Sequence, residues 1–192
     1  MKRVGILGGT FDPPHLGHLI IAEEVRLALG LEEIWFIPSQ EPPHKSRAFI
    51  SADDRVEMVR NALKGNPFFK LNTIEVERLG KSYTFDTLNI LRNEHPDVSF
   101  YFIIGADMVE YLPKWYKISE LMEMVSFVGV KRIGSRLDTP YPIELVDIPY
   151  IEVSSTMIRE RIVKNDSIKY FLPEAVIRYI KEKRLYEERR SN

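Results

Sequence analysis

GGTFDPPHLGH, residues Gly8–His18, is the stretch on which the reading of this chain turns. It follows a short apolar run, Val4–Leu7, of the kind that forms a buried strand. It precedes an apolar stretch, Leu16–Leu29, with helical spacing. Strand, glycine turn and helix in that order present free backbone N–H groups to an anion. Gly8 and Gly9 permit close approach of the backbone. His15 and His18 lie three apart at the helix start, so both can face the mouth of the turn. No carboxylate precedes Glu23 in this helix. An acid in the first turn stabilises an ordinary helix by about 0.3–1 kcal/mol, so its absence suits an incoming anion. The plainer alternative is a glycine turn with one packed histidine. A zinc site built on the two histidines is a weaker reading, because there is no HExxH motif and no cysteine.

Outward from this stretch, apolar runs alternate with helical patterns. Ile21, Val25, Ala28 and Leu29 form one face of the first helix, with Gly30 as its C-cap. Glu33–Pro38 reads as strand two, and 39–49 as a polar loop holding PPHK, too rich in proline for a helix or central strand. Ser51 and Asp54 form a capping box for a helix carrying Val56, Val59 and Leu63. Phe68–Val76 is expected as strand three, running into a loop over Glu77–Tyr83. Thr84–Asn93 is expected as a helix and Ser99–Ile104 as a buried strand stopping at Gly105. Residues 106–117 are expected to be irregular, broken by Pro113. A short helix over Ile118–Met124 and strands over Val125–Val130 and Ile143–Ile148 follow. Helices over Ser154–Lys164 and Pro173–Lys183 close the chain, with Pro173 near N1. Strands spaced by helices imply a parallel sheet covered on both faces. The fold class is therefore α/β, a Rossmann-like doubly wound sheet with a small C-terminal helical portion over about 154–186, in a single domain spanning 1–192. Ligands in such sheets lie beyond the carboxyl ends of the strands, here near 8–18, 38–47, 105–117 and 131–136.

Bulk properties exclude several classes. The 192 residues carry a formal net charge of −1 and no cysteine. The charge balance gives no drive toward nucleic acid or a membrane surface. Lack of cysteine rules out disulfides and thiolate chemistry and fits a reducing compartment. With neither a signal peptide nor a long apolar segment visible, a soluble cytoplasmic protein is expected; a homo-oligomer is compatible with this composition. Two decoys fall away. Gly5-x-x-Gly8 is not the GxGxxG fingerprint, and Gly80-Lys81-Ser82 lacks the first glycine of a P-loop, Glu75 standing there.

A second constellation, VSSTMIR over 153–159, repeats the logic of the first. Ser154 or Ser155 caps a helix whose first turn again holds no acid. Arg159 stands early in it, against the dipole preference, which a bound polyphosphate would reverse. The alternative is a surface arginine paired with Glu160 or Asp166. Asp107, just after the strand ending at Gly105, either caps a helix or accepts from ribose hydroxyls. Trp115, between two lysines in a proline-broken loop, is either a lid over the core or a stacking surface. Lys45, after two prolines, is either solvated or reaches a phosphate.

GGTFDPPHLGH resembles the HxGH signature of the nucleotidyltransferase superfamily, related to the HIGH motif of class I aminoacyl-tRNA synthetases. More narrowly, the chain resembles the bacterial nicotinate-nucleotide adenylyltransferase family. The match runs through PPHK at 42–45, SYTFDTL at 82–88, GADM at 105–108 followed by Trp115, VKR at 130–132, VSSTMIR and FLPEAVIRYI. The resemblance implies transfer of AMP from ATP to the 5′-phosphate of nicotinate mononucleotide, giving deamido-NAD and pyrophosphate, with Mg²⁺ bound mainly through ATP phosphates. It implies His15, His18 and Arg159 as catalytic groups. Around ATP it puts Gly8, Gly9, Thr10, Phe11, Gly105, Asp107, Arg132, Ser154, Ser155 and Thr156. It makes Lys45, Tyr83, Thr84 and Trp115 the acceptor-binding residues. Trp115 then stacks on the cationic pyridine ring, and the helix start at Thr84, its plausible cap, meets the nicotinate carboxylate. Two rival readings share the phosphate motif. One is pantetheine-phosphate adenylyltransferase, which gives no reason for SYTFDTL with Trp115. The other is a non-catalytic nucleotide sensor, which has no need of transition-state donors.

Overall fold

The computed structural model describes residues 1–41, 48–78, 80–132, 139–149 and 151–187, without the side chains of Asp107 and Arg132. Among these residues six strands form one parallel sheet: β1 (Lys2–Gly9), β2 (Glu33–Pro38), β3 (Phe69–Leu71), β4 (Val98–Gly105), β5 (Ser126–Arg132) and β6 (Ile143–Ile148). Their order is β3-β2-β1-β4-β5-β6, and every neighbouring pair is parallel. The order reverses between β1 and β4, so the crevice of this doubly wound sheet opens beyond their carboxyl ends, at Gly8–Gly9 and Gly105.

Central strands of such a sheet are buried on both faces and read as unbroken apolar runs rather than alternating ones. Val4 and Ile6 on one face of β1 and Leu7 on the other are all buried. One core layer joins the Leu7 face to α1 (Leu16–Leu29) and α2 (Ala52–Ala62) through Val25, Val59 and Phe36. The opposite layer joins Val4 and Ile6 to α4 (Thr84–Glu94) and α6 (Ile118–Met124) through Leu88, Leu91 and Leu121. A third cluster fastens α7 (Ser155–Val163) and α8 (Glu174–Lys183) to α2, with Met58, Ile158, Val176 and Ile177 at its centre. That cluster carries the start of α7 to the sheet's open edge.

The expected helix over Leu16–Leu29 has those bounds, and Gly30 ends it in the left-handed conformation with φ 60°. Four expectations need correction. Strand three is only Phe69–Leu71, and Ile74–Arg78 is a short helix, α3. The cause is local: Asn72 Oδ1 accepts from the Ile74 N–H at 3.0 Å, and Glu77 N–H bonds Thr73 O, so side chains end the strand and start a turn. Residues 106–117 are not wholly irregular. They hold a single helical turn, α5 (Ala106–Val109), and a 3₁₀ turn over Leu112–Lys114. Gly105 is the N-cap of α5, so Asp107 lies within that turn rather than capping it. Thr84 is likewise the first helical residue, Tyr83 being the N-cap. Pro173, at the N-cap of α8, adjoins N1 as expected. Lys45 and the rest of PPHK lie outside the described residues. Among those described, no helix is long and apolar enough to cross a membrane.

Candidate active site

The turn after β1 is shaped from below. Phe11 adopts φ 52° and buries its ring between His18 and Phe36, at centroid distances of 5.0 and 5.8 Å. A Cβ on Gly9 would lie 3.1 Å from that ring, so glycine lets the turn fold over it. Phe11 is thus committed to the core at 2% exposure, and its side chain supports the turn from within.

His15 is the N-cap of α1, and its ring stacks on that of His18 with centroids 3.7 Å apart. The His15 backbone N–H donates to His18 Nδ1 at 3.1 Å. In neutral His18 that contact leaves the hydrogen on Nε2, so the ring is a preset donor. His18 lines the cavity described below. His15 is 8% exposed, its Nδ1 has no partner, and burial pulls its pKa from 6.5 to about 4. It is therefore neutral at pH 7. A Cβ on Gly17 would come within 3.0 Å of His15 Nδ1 and 3.8 Å of the Val153 carbonyl oxygen. The glycine between the histidines thus makes room for the first ring, and the chain entering α7 passes at ordinary contact distance beside it.

That second close approach brings the two acid-free helix starts together. Ser154 caps α7, accepting from the Met157 N–H at 3.1 Å. Ser155 Oγ donates to the Pro13 carbonyl at 2.8 Å. Arg159 Nη1 donates to the Asp12 carbonyl at 2.6 Å and Nη2 to Thr156 Oγ1 at 3.1 Å, and its guanidinium lies 4.2 Å over the Phe49 ring. Arg159 is thus held against the turn that follows β1, not paired with Glu160 or Asp166. Neither α1 nor α7 has an acid in its first turn.

A cavity of about 290 Å³ opens over the carboxyl ends of β1 and β4. Gly8, Gly9, Thr10, His18, Gly105, Tyr83, Thr84 and Trp115 all line it, although the sequence scatters them over more than a hundred positions. Trp115 is a lid over the core, the first of its two readings. Its ring packs edge-on against Phe102 and Phe127 at 5.9 and 6.0 Å, closing the core, while it also walls the cavity with Nε1 buried and unpartnered. The α4 start differs from the other two in carrying Asp86 in its first turn. The side chains of Asp107 and Arg132 lie outside the described part, so only their backbone is placed, after and at the end of β4 and β5 respectively.

Four residues of this region escaped the sequence reading. Arg55 on α2 is 1% exposed and donates to the carbonyls of Thr10, Ser39 and Gln40 at 2.8, 2.6 and 3.2 Å, tying the ends of β1 and β2 together. Its position shares a helix face with Met58, Val59 and Ala62; a cation on a buried stripe is the signal that could have revealed it. Glu75 lines the cavity, bonds the Thr87 hydroxyl at 2.8 Å, and has its pKa pushed up by burial. It falls in the segment misread as strand. Asp12 and Tyr186, 174 positions apart, are joined by a hydrogen bond that no spacing rule foretells.

A doubly wound sheet with two acid-free helix starts and two histidines at its switch point defines a nucleotide-binding α/β protein of the HxGH type. Residues 6–161 match the family model described as cytidylyltransferase-like. The chain is 56% identical over 186 residues to a probable nicotinate-nucleotide adenylyltransferase of Oceanobacillus iheyensis, covering 97% of each. It is 53% identical over 188 residues to the nicotinate-nucleotide adenylyltransferase of Bacillus subtilis, covering 97% of this chain and 100% of that one. In fold it is similar to a Plasmodium falciparum nicotinic acid mononucleotide adenylyltransferase complexed with NaAD. The TM-score is 0.80 and the identity 23%, covering 97% of this chain and 98% of that chain. The chain belongs to the cytidylyltransferase-like family and, within it, to the nicotinate-nucleotide adenylyltransferases.

Proposed function

We propose that this protein transfers AMP from ATP to the 5′-phosphate of nicotinate mononucleotide, releasing pyrophosphate and forming deamido-NAD. The observation that carries this reading is the meeting of the two helix starts, through Ser155 with Pro13 and Arg159 with Asp12, at the rim of the turn that lines the aromatic cavity. The identity to relatives named for this activity supports it over pantetheine-phosphate transfer. The same reading makes 1–192 one nucleotidyltransferase domain, with about 154–186 as its C-terminal helical part.

An oxygen of the mononucleotide phosphate attacks the α-phosphorus of ATP. One P–O bond forms, and the bond to the bridging oxygen of pyrophosphate breaks. The nucleophile is already ionised at pH 7, so no general base is required. The protein's work is alignment and stabilisation of charge. The backbone at Gly8, Gly9 and Thr10 and the first turn of α7, with Ser154, Ser155 and Thr156, face the triphosphate. His18 donates through Nε2–H to the reacting phosphates. His15, neutral in its buried place, donates without adding a charge. Arg159 grips the β- and γ-phosphates of ATP, the part that leaves as pyrophosphate. Gly105, Asp107 and Arg132 border the adenosine, and Lys45 reaches a phosphate. Trp115 offers its face to the pyridinium ring, and the opening turn of α4 at Tyr83 and Thr84 receives the carboxylate.

Mg²⁺ carried in on the ATP phosphates would supply neutralisation of the polyphosphate charge, while the chain's own donors align the reacting groups. The deciding experiment couples pyrophosphate release to a dye with ATP and three acceptors: nicotinate mononucleotide, nicotinamide mononucleotide and phosphopantetheine. The acid mononucleotide should turn over fastest. Faster turnover of phosphopantetheine, or ATP binding with no release, would overturn the reading.

A further inference from the structure

Asp12 is 5% exposed and sits in the turn that faces the phosphates, yet its contacts point away from them. Oδ1 accepts from the Tyr186 hydroxyl at 2.7 Å, and Oδ2 accepts from the Phe49 backbone N–H at 2.7 Å. Its carbonyl oxygen takes Arg159 Nη1 at 2.6 Å. Both carboxylate oxygens are therefore engaged by protein donors, one from the segment after α8 and one from the segment before α2. Phe49 is 70% exposed, an unusual place for a large apolar ring, and the Arg159 guanidinium lies 4.2 Å over one face of it.

These contacts make one chain of dependence. Tyr186 fixes Asp12, Asp12 fixes the backbone at Phe49, and Phe49 with the Asp12 carbonyl fixes both the face and the edge of Arg159. An arginine side chain free in solvent loses considerable rotamer freedom when it grips a phosphate. Held in advance on a ring face and a carbonyl, it loses less. We propose that Tyr186 and Phe49 are positioning residues for the triphosphate, acting through Asp12 to preset Arg159 rather than touching substrate. Supporting this, burial and the neighbouring Asp12 push the Tyr186 phenol far above its ordinary pKa, so it remains a donor across the working pH range. The segment after α8 thus completes a site whose other parts, Asp12, Phe49 and Arg159, lie in the first, second and last quarters of the chain.

The inference rests on the reading of Arg159 as a phosphate ligand, and the test separates the two. Tyr186→Phe removes one hydroxyl and keeps the ring. Phe49→Leu removes the ring face and keeps the N–H to Asp12. Each should raise KM for ATP about three- to tenfold while moving KM for the acceptor less than about twofold. In an Arg159→Lys background, Tyr186→Phe should add less than about twofold, because the group it positions is gone. Equal rises in both KM values, or fully multiplicative effects with Arg159→Lys, would overturn the proposal and leave a merely structural bond. Should Tyr186→Phe not fold, an unchanged KM for ATP in Phe49→Leu overturns it alone. If the wild type releases no pyrophosphate with any acceptor, titration calorimetry with MgATP makes the same comparison. Weaker ATP binding in both variants then upholds the positioning role while the assigned transfer falls; unchanged binding sinks the positioning role.

Discussion

The starts of α1 and α7 look alike in sequence, each preceded by an extended residue and each without an acid in its first turn, but they are assembled differently. The α1 start takes its shape mostly from its own residues, since its glycines, the Phe11 ring and the stacked histidines all lie within Gly8–His18, although the Leu16 N–H bonds the distant Phe171 carbonyl at 2.9 Å. The α7 start is made by distant partners. Ser155 and Arg159 reach back 142 and 147 positions to Pro13 and Asp12, and the helix rides on a cluster with α2 and α8 rather than on the sheet. The first is rigid by local packing, and the second is placed by hydrogen bonds that a single substitution can loosen. Damage to the first should therefore strike the chemical step, and damage to the second the hold on ATP.

The sharpest way to break this contrast is His18→Ala. Loss of one preset donor should lower kcat by about 10²–10³ with the far-ultraviolet dichroism unchanged; a near-wild-type kcat would remove His18 from the chemistry. Next comes the acid limb of stability. Unfolded chain binds a proton at His15 near pH 6.5, whereas the folded protein does so only near 4. Between those values the unfolded state holds more protons. Stability is therefore full above 6.5, falls as pH drops toward 4, and loses nothing further from this group below that. The total is about 3 kcal/mol. Urea melts across this window should show the slope, and His15→Asn should flatten it.

Smaller effects probe the α7 side. Arg159→Ala should lower kcat/KM for ATP by about 10- to 100-fold, mainly through KM, as a charge-assisted contact is lost. An effect confined to kcat would place it with the histidines instead. Ser155→Ala should cost only about 0.5–1.5 kcal/mol in chemical melts, since one neutral hydrogen bond to the Pro13 carbonyl is removed. Its KM for ATP should rise modestly, because α7 keeps its Ser154 cap and its buried Ile158.

Legibility in the sequence follows the same line. Several structures built from neighbours along the chain were announced by their residues. The helix over Leu16–Leu29 with Gly30 beyond it, the strand Glu33–Pro38 and the capped helix after Ser51 all have the expected places. The edge strand failed because β3 has only β2 to pair with, and the short polar pair Asn72–Thr73 outcompeted that ladder for the backbone. The apolar residues Leu71, Ile74 and Val76, spaced by three and then two, suited either outcome. Trp115 could not be resolved from its neighbours, since closing a core and walling a cavity demand the same aromatic side chain.

By itself the sequence determined the α/β alternation, the glycine turn and acid-free helix start over Gly8–His18 and a second acid-free helix start at Ser154. Spacing, glycine and capping chemistry act over a few residues and are written in order along the chain. Only the tertiary structure decided that those two starts share one rim, that Arg55 laces the strand ends together, and that Tyr186 closes on Asp12. Those arrangements arise from burying the α2–α7–α8 cluster and satisfying buried polar groups, and such forces join residues with no regard to their separation in sequence.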